Sequence, residues 1–239
     1  MMDCKGKKVI VTGGSQGYGK GIAAALKARG AQVWITGRRQ DVLAQSAAEI
    51  GVQAVAGDVG KPADWDRIFA ACGDDIDVLI NNAGSGVHIA PLQEQSDDDI
   101  RRSIETNLLG VIYGCRRAAA LMTARKSGLI INITSVCAHY GWPGFATYTA
   151  AKAGVDMFSR ALYTELRPHN VRVTVLTPSW GETEFSVAAG LGPMAEARRG
   201  RVMTGEQMGD LVVKICEFPD HLVFPEIMVQ PVMQEIVPF

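Results

Sequence analysis

The chain has 239 residues, 24 of them basic and 25 acidic, and its net charge of −1 leaves no excess to draw nucleic acid or an anionic membrane. Hydrophobic residues make up 47%, which excludes a disordered chain and suffices for one buried core. No apolar run reaches the ~18 residues that a spanning helix needs, and the residues ahead of the first strand-like run carry three lysines and no apolar stretch, which predicts no signal peptide.

Strand-like and helix-like segments then alternate. VIVT at residues 9–12 predicts a first strand, followed by a Gly-rich turn and a helix over 17–29 that Gly30 ends. QVWIT (32–36) predicts a second strand, with a helix over 41–50. VQAVAGDV predicts a third strand ending at Asp58, and Pro62 opens a helix towards Cys72. DVLINNAG (77–84) predicts a fourth strand and a turn. Ser96 and Asp97 mark the N-terminus of one long helix reaching about Arg125. LIINIT (129–134) predicts a fifth strand. A loop with Gly141, Pro143 and Gly144 leads to a helix ending near Arg167 and Pro168. VRVTVLTP (171–178) predicts a sixth strand, and IMVQPV near the C-terminus a seventh. Several strands are apolar on both faces, as expected of a parallel sheet covered by helices on both sides. Residues 179–201, rich in Gly and Ala and weakly periodic, predict a substrate lid.

The five cysteines are scattered, odd in number and free of any CxxC pair, so neither a metal site nor a disulfide framework is indicated, and the cytoplasm is the simplest compartment. Cys137 reads as a quiet packed thiol.

The turn TGGSQGYG places Gly13, Ser15, Gln16, Gly17, Tyr18 and Gly19 between a strand and a helix. Small residues there permit the tight turn and a close backbone approach to a pyrophosphate, and the helix N-terminus adds free N–H groups. The second strand ends in Thr36, Gly37, Arg38 and Arg39. A carboxylate at that point would favour NAD(H); Arg38 and Arg39 instead suit a 2′-phosphate, so NADP(H) is expected. Asp58, with Val59 beside it, is placed to accept from an adenine amino group. Asn82, Ala83 and Gly84 border the nucleotide crevice, while Asn81 reads as structural.

Tyr148 and Lys152 are four residues apart, one helical turn, so both project from one face. A neighbouring ammonium is expected to lower the phenol's pKa and make it a usable acid/base. Ser135 lies at the end of the fifth strand. Together with a dinucleotide, these residues point to hydride transfer at a carbonyl carbon.

In TGGSQGYG, Asp58-Val59, NNAG at residues 81–84, Asn107 in ETNLLG, Ser135, YTAAK at 148–152, and Pro178 with Thr183, the chain resembles the short-chain dehydrogenase/reductase family. TGRRQDVL, GETEFS and the C-terminal segment look most like its NADP-dependent 3-hydroxy acid (serine-type) dehydrogenases. The resemblance implies a single Rossmann-like domain over residues 1–239 with a doubly wound, seven-stranded parallel sheet. It also implies a homotetramer or dimer, and a catalytic tetrad of Asn107, Ser135, Tyr148 and Lys152. In the family Lys152 also holds the nicotinamide ribose, Asn107 anchors a water, and Pro178 and Thr183 touch the cofactor. Tyr18 stands where an aliphatic residue is usual, as do Ser179 and Trp180 in place of Gly and an aliphatic residue. Val136, His139, Trp142, Trp180 and Phe185 are the candidate pocket residues for a small carbonyl or alcohol, such as a 3-oxo or 3-hydroxy acid. Arg198, Arg199 and Arg201 read first as solvated lid surface, with closure over an acidic substrate as the alternative. A larger carbonyl (a 3-oxoacyl thioester, polyketide or sugar) and an NADP(H) sensor without turnover are the competing readings.

Overall fold

The computed structural model describes residues 4–235. Seven strands form one parallel sheet in the order β3-β2-β1-β4-β5-β6-β7. They are β1 (Lys8–Thr12), β2 (Gln32–Gly37), β3 (Gln53–Ala56), β4 (Val78–Asn81), β5 (Gly128–Ile133), β6 (Val171–Pro178) and β7 (Glu226–Val229). The expected third and fourth strands stop earlier than the sequence suggests. Pairing ends at Ala56 and Asn81, and the chain beyond turns away as loops at the sheet's C-terminal edge.

Alternation along the strands builds two cores. Val9, Val11, Val78 and Ile80 face one side, where they meet Ile22 and Leu26 of α1 (Gly17–Ala28), Leu43 of α2 (Gln40–Ile50), and Met208 and Val212 of α8 (Gly205–Cys216). Ile10, Leu79 and Ile130 face the other, against Trp65 of α3 (Pro62–Cys72), Met122 of α5 (Gly110–Arg125), and Val155 and Leu162 of α6 (Ala146–Leu166). Both faces are covered, which is why the strands read as apolar throughout.

The long helix expected over 97–125 is present but interrupted. α4 (Asp97–Ile104) starts where Ser96 accepts from the Asp99 N–H, then widens into a π turn at Glu105–Leu109 before α5 begins. Asn107 sits in that π turn, and its Nδ2 donates to the Ser103 carbonyl at 3.0 Å. That carbonyl is the i−4 acceptor of an ordinary helix, so the side chain competes with the backbone ladder and the helix widens there. Residues 179–201 hold α7 (Phe185–Ala188), a short 3-10 turn at Glu196–Arg198 and, at Gly181, an isolated parallel bridge to Met203.

Strand order reverses between β1 and β4, which opens a crevice at their C-terminal ends. A buried chain of side chains fixes α6 against that edge. Asn81 Nδ2 donates to Asn132 Oδ1 at 2.8 Å, Asn132 Nδ2 donates to Ser159 Oγ at 2.8 Å, and Ser159 Oγ donates to the Val155 carbonyl at 2.6 Å. The structural reading of Asn81 is thereby realised: it couples β4 and β5 to the helix that carries Tyr148.

Candidate active site

One cavity of about 710 Å³ lies over the C-terminal ends of the strands. Its floor is the Gly-rich turn. Gly13 has φ +67, and a Cβ there would come within 2.9 Å of Ala83 Cα, so only glycine lets the turn after β4 lie this close. Thr12 Oγ1 locks the two turns together by accepting the Asn82 and Ala83 N–H groups at 3.0 and 2.9 Å. Gly19 does not line the cavity. A Cβ there would stand 2.2 Å from the Gly13 carbonyl oxygen, so its role is to seat α1 under the turn.

Of the residues expected at the cofactor, Ser15, Gln16, Gly17, Tyr18, Arg38, Arg39, Asp58, Val59, Ala83, Gly84, Pro178 and Thr183 border the cavity. The details differ at three of the predicted residues. Asn82 borders it but spends its amide on structure, donating to the Thr12 carbonyl at 2.9 Å. Asp58 Oδ1 accepts from the Gly60 N–H at 3.0 Å and so also closes its own turn. Tyr18 lies with its hydroxyl buried and without a hydrogen-bond partner, against Gly181, where a Cβ would overlap it. Arg38 and Arg39 are exposed beyond β2, and Arg39 is steadied by Gln16 Oε1 at 2.5 Å.

At the other end stand Tyr148 and Lys152, 8% and 3% exposed. Lys152 Nζ donates to the Ile133 carbonyl at 3.0 Å and lies 5.7 Å from the Tyr148 ring centroid. Burial pushes the Tyr148 phenol above its ordinary value of 10.0; the Cys137 thiol adds to the rise, and a hydrogen bond with Ser135 opposes it. The expectation that Lys152 lowers this pKa is therefore corrected. Desolvation of a buried phenolate dominates, and the ammonium directs its hydrogen bond to a backbone carbonyl. Burial also pushes Lys152 down from 10.5 to about 8. Cys137 is buried and its thiol is pushed up by desolvation, in keeping with a quiet thiol.

Asn107 is fully buried behind this end. Its Oδ1 accepts the Ser85 N–H at 3.0 Å and its Nδ2 donates to the Ser85 carbonyl at 2.7 Å, clamping the loop after Gly84 beside Lys152. Val136, Trp142, Trp180 and Phe185 line the cavity as expected. His139 does not. It turns away to Glu226, with Nε2 3.1 Å from Oε1, because Arg160 draws both Glu226 (2.6 Å) and Asp156 (3.0 Å) to that side of α6. The sequence reading omitted Phe145 and Gln234, which also line the cavity. Gln234 Oε1 accepts from Ser179 Oγ at 2.5 Å and from the Trp180 N–H at 3.3 Å, pinning the segment after β6. No local motif marks a glutamine so distant in sequence; Phe145, three residues before Tyr148, was within reach of a helical-face argument.

The buried ammonium carries a stability prediction. Its pKa is lower in the folded chain than the ordinary 10.5, so folding disfavours the proton. The penalty is complete below about pH 8 and vanishes as pH rises towards 10.5. Lys152→Met is expected to melt a few degrees above the parent at neutral pH, with the gap narrowing as pH rises through that window. The difference between the two proteins is the readout, since thiols and phenols raised by burial destabilise both in alkali. A gap that is absent at neutral pH, or that widens with pH, contradicts a buried protonated lysine.

Comparison with known proteins gives consistent neighbours. The family model described as short chain dehydrogenase matches residues 7–191. The chain is 36% identical over 211 residues to 3beta-hydroxysteroid dehydrogenase 1 of Eggerthella lenta, covering 84% of this chain and 80% of that one. It is 34% identical over 236 residues to an NADP-dependent 3-hydroxy acid dehydrogenase of Salmonella typhi, covering 95% of each. Among solved structures, the closed form of a serine dehydrogenase complexed with NADP+ superposes with a TM-score of 0.89 at 32% identity, covering 97% of both chains.

Proposed function

Because this chain belongs to the short-chain dehydrogenase family, an oxidoreductase acting on hydroxyl and carbonyl groups, we propose that it interconverts a carbonyl and its alcohol with NADP(H). A 3-oxo/3-hydroxy acid pair is the leading substrate class. The carrying observation is the placement of Tyr148 and Lys152 in the same cavity as the Gly-rich turn and the Arg38–Arg39 pair.

The residues present fit NADP(H). The turn leaves no room for a side chain at Gly13, and β2 ends in two exposed guanidinium groups with no carboxylate. Gly13 to Tyr18 would hold the pyrophosphate, Arg38 and Arg39 the 2′-phosphate, Asp58 and Val59 the adenine, and Lys152 the nicotinamide ribose. When bound, the cofactor supplies or accepts a hydride. Tyr148, held protonated at neutral pH by its burial, donates a proton to the carbonyl oxygen during reduction and accepts one from the alcohol in reverse. Ser135 hydrogen-bonds the same oxygen; donors so placed are each worth ~10²–10³ in rate. Lys152 supplies positive charge beside the developing phenolate. Asn107 is a positioning residue that holds the Gly84–Ser85 loop against Lys152. We extend the proposal to a single unit whose residues 179–201 act as a lid, and to a homotetramer in the cytoplasm. A larger carbonyl substrate is the second reading, favoured by the aromatic walls at Trp142, Phe145, Trp180 and Phe185.

The test is NADPH oxidation and NADP+ reduction over oxo acids, hydroxy acids, aldehydes, sugars, steroids and oxoacyl thioesters. Turnover of one class defines the substrate; a panel without turnover, with NADPH still bound, returns the chain to the sensor reading. Arg38→Ala is expected to weaken NADPH by about 10- to 100-fold and NADH far less, as loss of a charge-assisted phosphate contact requires. An equal effect on both would remove the 2′-phosphate assignment.

A further inference from the structure

We propose that Arg198, stacked on Trp180 in the cavity wall, receives a carboxylate carried by the substrate, and that the body of that substrate is apolar. The position of the reacting carbonyl rests on the reductase reading above; the carboxylate subsite rests on its own geometry.

The Arg198 guanidinium carbon lies 3.7 Å from the Trp180 ring centroid, and both residues line the cavity. A guanidinium held by its face against an indole is pre-oriented, and its N–H edge stays available for a bidentate carboxylate. Of the two expectations for these arginines, solvated surface or closure over an acidic substrate, the first holds for Arg199, which pairs outward with Glu196 at 3.1 Å. Arg198 differs. Among the described residues no carboxylate comes within ion-pair distance of it, whereas Arg101, Arg102, Arg117 and Arg160 each have one. Glu184 lines the same cavity but forms no ion pair with it, so the charge remains uncompensated.

The other cations bordering the cavity stand elsewhere: Lys152 donates to a backbone carbonyl at the reacting end, Arg39 is tied to Gln16 at the Gly-rich turn, and Arg38 is exposed just beyond β2 beside Arg39. Beside Tyr148 the cavity walls are aromatic: the Phe185 ring centroid is 5.3 Å from that of Tyr148, and that of Phe145 is 6.2 Å away. A polar molecule the size of serine would leave these rings without a partner, whereas an apolar oxo acid would bury its body against them and pair its carboxylate with Arg198.

The test uses calorimetric titration of the NADP+-saturated protein with hydrocinnamate and with its uncharged amide. Neither has a group to reduce, so the readout does not depend on turnover. The acid is expected to bind the parent about 10- to 30-fold more tightly than the amide, the worth of a charge-assisted pair. Arg198→Gln should bring that ratio close to one, and Arg198→Lys, which keeps charge without the planar fork, should give an intermediate ratio. Equal binding of acid and amide to the parent overturns the proposal, as does a preference that survives in Arg198→Gln. So does an Arg198→Gln protein whose NADPH affinity falls as much as its hydrocinnamate affinity, because the guanidinium then belongs to the cofactor. Failure of the reductase reading would show separately, as no Tyr148-dependent NADPH oxidation with any carbonyl, neutral ketones included.

Discussion

Tyr148→Phe is expected to lower kcat by ~10³-fold or more, the range for removal of a positioned general acid, while the protein stays folded and holds NADPH about as before. The phenol is 8% exposed and pushed up by burial, so at neutral pH it carries the proton that reduction consumes. Removing one oxygen from a ring already packed against Phe145 and Phe185 leaves the aromatic contacts intact, so the defect should lie in the chemical step. Stopped-flow kinetics with NADPH, set beside direct NADPH titration, separates the two. A variant retaining more than a tenth of the parent kcat would take Tyr148 out of proton transfer.

The second large effect concerns the scaffold. Gly21→Ala is expected to destabilise the fold by about 3 kcal/mol, at the upper end of overpacking costs. A Cβ at Gly21 would fall 1.9 Å from the Gly205 carbonyl oxygen, and one at Gly209 would fall 2.5 Å from the Gly21 carbonyl oxygen. Helices α1 and α8 thus cross backbone to backbone, and no side chain can rotate away to make room. Separating them would loosen Ile22, Leu26, Met208 and Val212 in the first core and move the Gly-rich turn at the start of α1. The midpoint of urea unfolding measures the cost. Gly141→Ala is the control, since nothing lies within 4 Å of a Cβ there. Equal midpoints for the two variants would mean that the crossing has slack.

The sequence by itself determined the sheet, the Gly-rich turn, the Arg38–Arg39 end of β2 and the Tyr148–Lys152 pair. Each is encoded locally: short apolar runs bounded by turn residues, Gly and Pro at turns, and a four-residue spacing on one helix face each need only neighbours in the chain. The subsequent fate of the side chains was decided by tertiary structure. His139 lies three residues beyond Val136 in the same segment after the fifth strand, yet Glu226 and Arg160, distant in sequence, draw it out of the cavity. Asn107 reads as part of an unbroken helix, but its contacts with Ser85 and Ser103 widen that helix into a π turn. Gln234 enters the site from the far C-terminal region to hold Trp180. The Tyr148 pKa moves opposite to the local expectation because burial is a property of the whole fold, and desolvation is the largest contribution to it. Arg198 sits in a basic cluster that looks solvated until the chain path lays it on Trp180, and contacts of that kind have no signature in a single sequence.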